Sequence, residues 1–260
     1  MAALPARLGA LRAPFTPRHL AETRLRFADG ARTTLYVATY DVAVTEVGVV
    51  RLQRPAPLEA WCRARAIPEA LVGGFYIRAA GTPLGELRTR GVRRATVPFD
   101  EPWDQVRACV HVRGGKLALA RRDRLEAMPA GDLLQAGPLL VARGQPVVEG
   151  DPEGFSAGAR QFDSDITDGR HPRAALAIAG DRLLAVACDG RHDRDAGLTL
   201  EELAEQLVAL GADTAINLDG GGSTSLVCAG KLRNRPRETH GEEIRGGRAV
   251  STALVFRARL

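Results

Sequence analysis

The stretch Ala215-Ile216-Asn217-Leu218-Asp219-Gly220-Gly221-Gly222-Ser223-Thr224-Ser225-Leu226-Val227 constrains this chain more than any other. An apolar run meets a carboxylate, three glycines and three hydroxyls, and then becomes apolar again. A turn between two strands needs one or two glycines. Three in succession tolerate positive φ and let a ligand approach the main chain closely. Successive exposed N–H groups there can form a concave nest for an anion. The plainer reading of the same residues is a glycine-rich hairpin.

The 260 residues suffice for one large domain or two small ones, and 45% hydrophobic with 26% charged residues is an ordinary globular balance. Aromatics make up only 5%, so aliphatic side chains must fill the core. The net charge is +5, divided as +8 over residues 1–150 and −3 over residues 151–260. Such asymmetry can signal nucleic-acid affinity, but the basic residues are scattered and not interleaved with aromatics. Nucleic acid is therefore a disfavoured partner, and phosphate-bearing substrates fit the same charge. Cys62, Cys109, Cys188 and Cys228 are far apart with no C-x-x-C pair, which argues against zinc. Cys188 and Cys228 lie in apolar runs, where buried free thiols are common. The opening apolar run is interrupted by Arg7 and Arg12. With no uninterrupted signal core and no segment of membrane-spanning length, the expectation is a cytoplasmic protein without membrane association.

Residues 1–20 read as a loose leader and residues 21–260 as one α+β domain, strand-rich, with a mixed sheet and a few helices. Early strands are expected at Leu25–Phe27, Thr34–Thr39 and Val42–Val50, the first two joined at Asp29-Gly30, a strong hairpin signal. Pro57–Ala66 reads as a helix with Leu58, Trp61 and Cys62 on one face. Leu71–Ala79 has strand character around Gly73-Gly74. Val106–Val112 and Lys116–Ala120 flank Arg113-Gly114-Gly115 as a hairpin, and Asp132–Gln135 reads as a short helical turn. Ala174–Ala179 and Leu183–Cys188 read as strands about Gly180-Asp181. Thr199–Leu210 is the clearest helix, with a Thr199/Glu202 capping box, a leucine face and Gly211 at its end. Thr214–Leu218, Ser225–Ala229 and Ala249–Phe256 complete the strands. Glu149–Pro172 is long and irregular, and such loops are often functional. Its Asp163, Asp165 and Asp168 miss the register of a calcium loop, which needs Gly sixth and Glu twelfth.

Three segments join the glycine turn as carriers of chemistry. Val72-Gly73-Gly74-Phe75-Tyr76 permits close backbone approach. His171-Pro172-Arg173 offers an imidazole and a guanidinium fork for phosphate oxygens. Cys188-Asp189-Gly190-Arg191-His192 ends a strand with a carboxylate, a cation and an imidazole. Each alone is also compatible with an ordinary turn or bulge. Phosphate-loop, dinucleotide and H-E-x-x-H patterns are absent, and Ser223 lacks the G-x-S-x-G elbow of a serine hydrolase.

Together these segments resemble the phosphodiester glycosidase family. The likeness rests on Asn217–Thr224, His171-Pro172-Arg173-Ala174-Ala175-Leu176, Asp189-Gly190-Arg191, Gly197–Ala204 and Gln135–Val141, in the family's order over residues 70–257. One residue departs: Val72 stands where the family usually has asparagine. The resemblance implies hydrolysis of a bond between a sugar's anomeric carbon and a phosphodiester oxygen, on a glycan or sugar-phosphate substrate. No cofactor or metal is expected.

Ordinary glycosidases use two carboxyl groups, one protonating the leaving oxygen. A phosphate monoester, with a second pKa of about 6, leaves with less help from a proton and more from positive charge. The expectation is then Asp219 as nucleophile or as base for water. Asp189 would be partner carboxylate or orienter, and His171 would assist proton transfer. Arg173, Arg191 and the N–H groups of Gly220, Gly221 and Gly222 would stabilise the departing charge. Asn217, Ser223 and Thr224 would hold oxygens of the substrate, with Gly73 and Gly74 giving room. Two alternatives stay open at this level: a non-catalytic binder of polysaccharide or cell-envelope glycan, and a nucleic-acid phosphodiesterase.

Overall fold

The structure, a computed structural model, describes residues 16–148, 169–238 and 241–259. Most of Glu149–Pro172, including Asp163, Asp165 and Asp168, lies outside the described residues, as do residues 1–15 of the expected leader. The first strand, His19–Arg26, already begins inside that leader.

A seven-stranded sheet runs in the order His19–Arg26, Arg32–Asp41, Arg182–Cys188, Ala174–Ala179, Thr214–Asn217, Leu139–Ala142 and Gln145–Pro146. A five-stranded sheet is ordered Lys231–Leu232, Leu226–Cys228, Ala70–Val72, Ala249–Ala258 and Thr45–Pro57. A second five-stranded sheet is ordered Lys116–Arg121, Ala108–Arg113, Asp132–Gln135, Leu87–Thr89 and Val92–Arg93. The protein is thus largely β, with few helices.

The expected mixed sheet is not observed among the described residues. Every strand ladder is antiparallel, and the one parallel pairing is an isolated bridge between Leu84 and Val97. Short links such as Gly114-Gly115 and Gly180-Asp181 reverse the chain at once, whereas a parallel pair needs a long crossover. Both of those links, and Gly30 of the first hairpin, use positive φ at glycine.

Strand periodicity sets two cores. Along Arg32–Asp41, Tyr36, Ala38 and Tyr40 enter a large core shared with the strands Ala70–Val72 and Ala249–Ala258. Leu35 and Val37 point the other way, into a second core closed by the helix Leu200–Ala209. That helix carries the expected capping box and buries Leu200, Leu203, Ala204 and Leu207. Leu58–Arg63 forms the first helix, shorter than Pro57–Ala66, with Leu58, Trp61 and Cys62 buried as the pattern implies. All four cysteines are buried free thiols.

Three elements differ from expectation. Asp132–Gln135 is a strand, not a helical turn, because it pairs on both sides, with Leu87–Thr89 and with Ala108–Arg113. Four residues with two leucines carry little helical preference of their own, so the ladder decides. Val42–Val50 is split: Asp41 Oδ1 accepts the Ala43 N–H at 2.8 Å in a turn, and the strand Thr45–Pro57 follows. Leu71–Ala79 breaks at its glycines into Ala70–Val72 and Tyr76–Ile77.

Gly73 marks where the C-terminal strand packs tightly on that break. A Cβ there would lie 2.4 Å from Thr252 Oγ1 and 2.8 Å from the Thr252 carbonyl carbon. Gly73→Ala should therefore cost about 1–3 kcal/mol of stability through overpacking. Denaturant unfolding of the variant, with unchanged slope and lowered midpoint, checks this.

Candidate active site

The glycine turn is not a hairpin. Its entering strand, Thr214–Asn217, pairs with Leu139–Ala142 and Ala174–Ala179, whereas its exit strand, Leu226–Cys228, pairs with Ala70–Val72 in the other sheet. The turn, with a short helical twist at Gly221–Ser223, is the crossing from one sheet to the next. The Asp219 N–H donates to the Gly73 carbonyl at 3.0 Å, and the Val72 N–H donates to the Ser225 carbonyl at 2.9 Å. The two glycine motifs of the sequence thus meet. Gly137, in the segment before Leu139–Ala142, lets Asn217 pack so closely that a Cβ would come 2.7 Å from the Asn217 carbonyl oxygen.

Asp219 is buried, at 7% exposure, yet only one of its oxygens has a protein partner. Oδ1 accepts the Gly220 N–H at 2.9 Å. Oδ2 has none, and the same holds for the buried Asn217 Oδ1, Ser223 Oγ, Thr224 Oγ1 and Ser225 Oγ. Buried polar atoms are nearly always satisfied, so five orphans within nine residues mark a surface built for polar ligand atoms. Loss of water pushes the Asp219 carboxyl up to about 6, a rise moderated by the Ser223 hydroxyl beside it and by the Arg248 and Arg78 guanidinium groups. Tyr76 shares this environment: its hydroxyl donates to the Ala249 carbonyl at 2.6 Å, and burial and Asp219 raise its pKa.

The expected amide nest is largely spent. The Gly220 N–H goes to Asp219, and the Gly221 N–H goes to the Pro172 carbonyl at 2.9 Å. That second bond brings the His171-Pro172-Arg173 segment to the turn. Gly190 and Gly197 lie so close beneath it that added Cβ atoms would come within 2.6 Å of Pro172 N and 2.5 Å of the His171 carbonyl carbon. His171 is half-buried and pairs through its main chain with Leu198.

Arg191 reaches the turn directly. A Cβ on Gly221 would sit 3.2 Å from Arg191 Nη1, and that nitrogen donates to the Arg237 carbonyl at 3.2 Å. Its own backbone holds φ at 59°, an uncommon conformation for a residue with a side chain. Arg173 is placed otherwise. It is buried, donates from Nε to the Leu198 carbonyl at 3.0 Å and from Nη2 to the Gly169 carbonyl at 3.1 Å. Burial lowers its pKa to about 10. These bonds hold the loop rather than present a fork.

Asp189 is engaged at both oxygens: Oδ1 accepts the Arg235 N–H at 2.6 Å and Oδ2 the Tyr36 hydroxyl at 3.2 Å. Burial, with Asp195 nearby, raises it to about 6. Its geometry fastens the strand Arg32–Asp41 to the Arg235 main chain; neither oxygen bonds Arg173 or His171, the groups it was expected to orient. Asn234 continues that clamp, donating to the Thr224 carbonyl at 2.8 Å and accepting the Leu226 N–H at 2.9 Å.

The profile of the family described as phosphodiester glycosidase matches residues 65–257. The chain belongs to the phosphodiester glycosidase family. No curated protein matches it. Among solved structures it is similar to the catalytic domain of zebrafish N-acetylglucosamine-1-phosphodiester alpha-N-acetylglucosaminidase, auto-inhibited by its pro-peptide. The TM-score is 0.71 at 21% identity, covering 96% of this chain and 85% of that one. A hypothetical protein from Synechocystis aligns with TM-score 0.62 and 18% identity, covering 92% of this chain and 62% of that one. At these identities the likeness speaks for the fold alone.

In this member of the phosphodiester glycosidase family, Val72 packs in the large core, so the position brings no side-chain amide to the polar surface. Sequence reading passed over Arg248. It bonds Glu238 through Nε at 2.9 Å and again through Nη2, and a Cβ on Gly222 would approach Nη2 to 2.9 Å. The signal was present in Gly246-Gly247-Arg248, a glycine pair before a strand like Gly73-Gly74 after one. Among the described residues, no group of three His, Cys, Asp or Glu side chains is arranged to hold a metal ion.

Asp219 carries a folded pKa above its ordinary 3.8, so its ionisation opposes folding. That penalty is absent below about pH 4 and complete above about pH 6. Asp219→Asn should accordingly be more stable than the parent by about 1–3 kcal/mol at pH 7. The advantage should fade as pH falls from 6 towards 4, measured by denaturant midpoints across pH.

Proposed function

We propose that this protein hydrolyses the glycosidic bond of a sugar-1-phosphodiester, releasing sugar and a phosphate monoester. The observation that carries the reading is Asp219 Oδ2, an unpartnered carboxylate oxygen in a buried polar surface, flanked by guanidinium charge. Family membership supplies the reaction class, and the residues supply a way to perform it.

The bond from the anomeric carbon to the phosphodiester oxygen breaks, and its electron pair leaves with the phosphate. Arg248 and Arg191, both against the glycine turn, receive that charge. Asp219 offers its free oxygen to the anomeric carbon or to a proton of the attacking water. A raised pKa makes it a stronger base than a solvated carboxylate while leaving it ionised at neutral pH. Ser223, Thr224, Ser225 and Asn217 hold the hydroxyls of the sugar. Asp189 and Arg173 act through the segments they fix, and His171 is assigned the relay of a proton.

The decisive assay is a panel of sugar-1-phosphodiesters with chelator controls, reading free sugar and phosphate monoester. Asp219→Asn should lower kcat at least about 10³-fold without loss of fold; full turnover by this variant overturns the reading, and glycan binding without hydrolysis by the parent favours a binding protein. The parent's kcat should fall as pH drops through about 6, where Asp219 takes up its proton. Arg248→Ala should lower kcat about 10²-fold, with partial recovery in Arg248→Lys, because charge remains although the bidentate fork is lost. Rapid-quench mass spectrometry for a sugar on Asp219 separates nucleophile from base.

A further inference from the structure

We propose that a cavity of about 620 Å³, lined by Arg88, Arg93, Arg94, Arg122, Glu86 and Asp104, binds a phosphorylated sugar unit. The cavity lies against the sheet that contains Leu87–Thr89 and Val92–Arg93, away from the glycine turn.

Four guanidinium groups face two carboxylates, leaving excess positive charge. Glu86 is already occupied: Arg122 Nε lies 2.8 Å from it and Arg88 Nη1 3.7 Å. Arg94 donates to Thr89 Oγ1 at 2.6 Å and to the Thr89 carbonyl at 3.1 Å, which sets its fork without neutralising it. Among the described residues neither Arg93 nor Arg94 has a carboxylate partner. Arg88 Nε is buried with no acceptor. Planar guanidinium forks of this kind suit pairs of oxygens on a doubly charged phosphate.

Asp104 specifies the rest of the ligand. Its Oδ2 accepts Gln105 Nε2 at 2.7 Å, while Oδ1 is buried and unpartnered. An acceptor waiting beside a cationic wall calls for a hydroxyl donor next to an anion, as a sugar phosphate provides. Bare phosphate would meet Asp104 as a like charge.

A chain of contacts runs from the cavity towards the glycine turn. Gln135, in the cavity lining, has its Oε1 accepting the Glu86 N–H at 3.0 Å and its Nε2 donating to the Asp104 carbonyl at 2.6 Å. The Gln135 carbonyl oxygen would lie 3.0 Å from a Cβ on Gly74, the neighbour of the residue that holds Asp219. On the proposed function above, the cavity takes a further phosphorylated unit of a longer substrate, apart from the one being cleaved.

Calorimetric titration of the full chain tests the site without turnover. Glucose 6-phosphate should bind saturably, more tightly than inorganic phosphate, and more weakly with added salt; glucose should not bind. Arg93→Ala/Arg94→Ala should weaken it about tenfold or more. Thr96→Glu, which adds a carboxylate to the cavity lining, should do the same should the double variant fail to fold. Asp104→Asn should erase the preference over inorganic phosphate. Asp219→Asn and Arg248→Ala should leave binding intact. Absence of saturable binding, or binding lost with Arg248→Ala but kept without Arg93 and Arg94, overturns the proposal. Finally, KM for a substrate bearing a second phosphorylated sugar should rise in the double variant while KM for a single-unit phosphodiester stays. If neither KM moves although glucose 6-phosphate binding is lost, the cavity serves free sugar phosphates, and the substrate placement falls.

Discussion

The hydrogen bond from the Asp219 N–H to the Gly73 carbonyl holds the molecule's two principal sheets at their crossing. The chain passes from one sheet to the other through residues 218–225, and main-chain polar groups at a crossing have no ladder to join. They are satisfied by the other sheet's broken strand, by Pro172 and by Asn234. With the backbone fixed from outside, the side chains of Asn217, Asp219, Ser223, Thr224 and Ser225 are left to face a ligand. A hairpin would have used the same residues to close on itself.

Buried charge around the crossing follows one pattern. Arg173 and Asp189 are each held at 1% exposure, a costly placement unless the group is hydrogen-bonded. Both bond other segments of the chain: Arg173 donates to the Leu198 and Gly169 carbonyls, and Asp189 accepts the Arg235 N–H and the Tyr36 hydroxyl. They act as rivets between segments distant in sequence. Asp219 and Arg248 differ because each keeps polar capacity directed at the turn. Desolvation raises the carboxyl, while Glu238 steadies the cation.

Much of this was legible in the sequence because short-range chemistry dictated it. Thr199 and Glu202 announced the helix they cap, and Gly114-Gly115 announced a hairpin. The glycine motifs could be matched to a family by order, and they do converge. What escaped notice depends on partners far along the chain. Asp132–Gln135 is a strand only because strands lie on both sides of it. Arg248 gains meaning from Gly222 and Glu238, contacts no local pattern encodes. Arg173 looked like a phosphate fork since its sequence neighbourhood is polar; its Nε and Nη2 go to the Leu198 and Gly169 carbonyls instead. The distinction between a side chain offered to a ligand and one consumed by the fold is a three-dimensional property.

The strand Ala249–Ala258 lies between Thr45–Pro57 and Ala70–Val72, and Thr252 Oγ1 accepts the Gly74 N–H from 178 residues away. During synthesis those two early strands must therefore wait, their facing edges open, until residues 249–258 have emerged. Non-local pairing of this kind is slow, and unpaired edges invite association between chains. A nascent chain halted before Thr252 would carry the aspartate and its glycines but no finished cradle, so the completed polar surface and escape from aggregation arrive together with the same late strand.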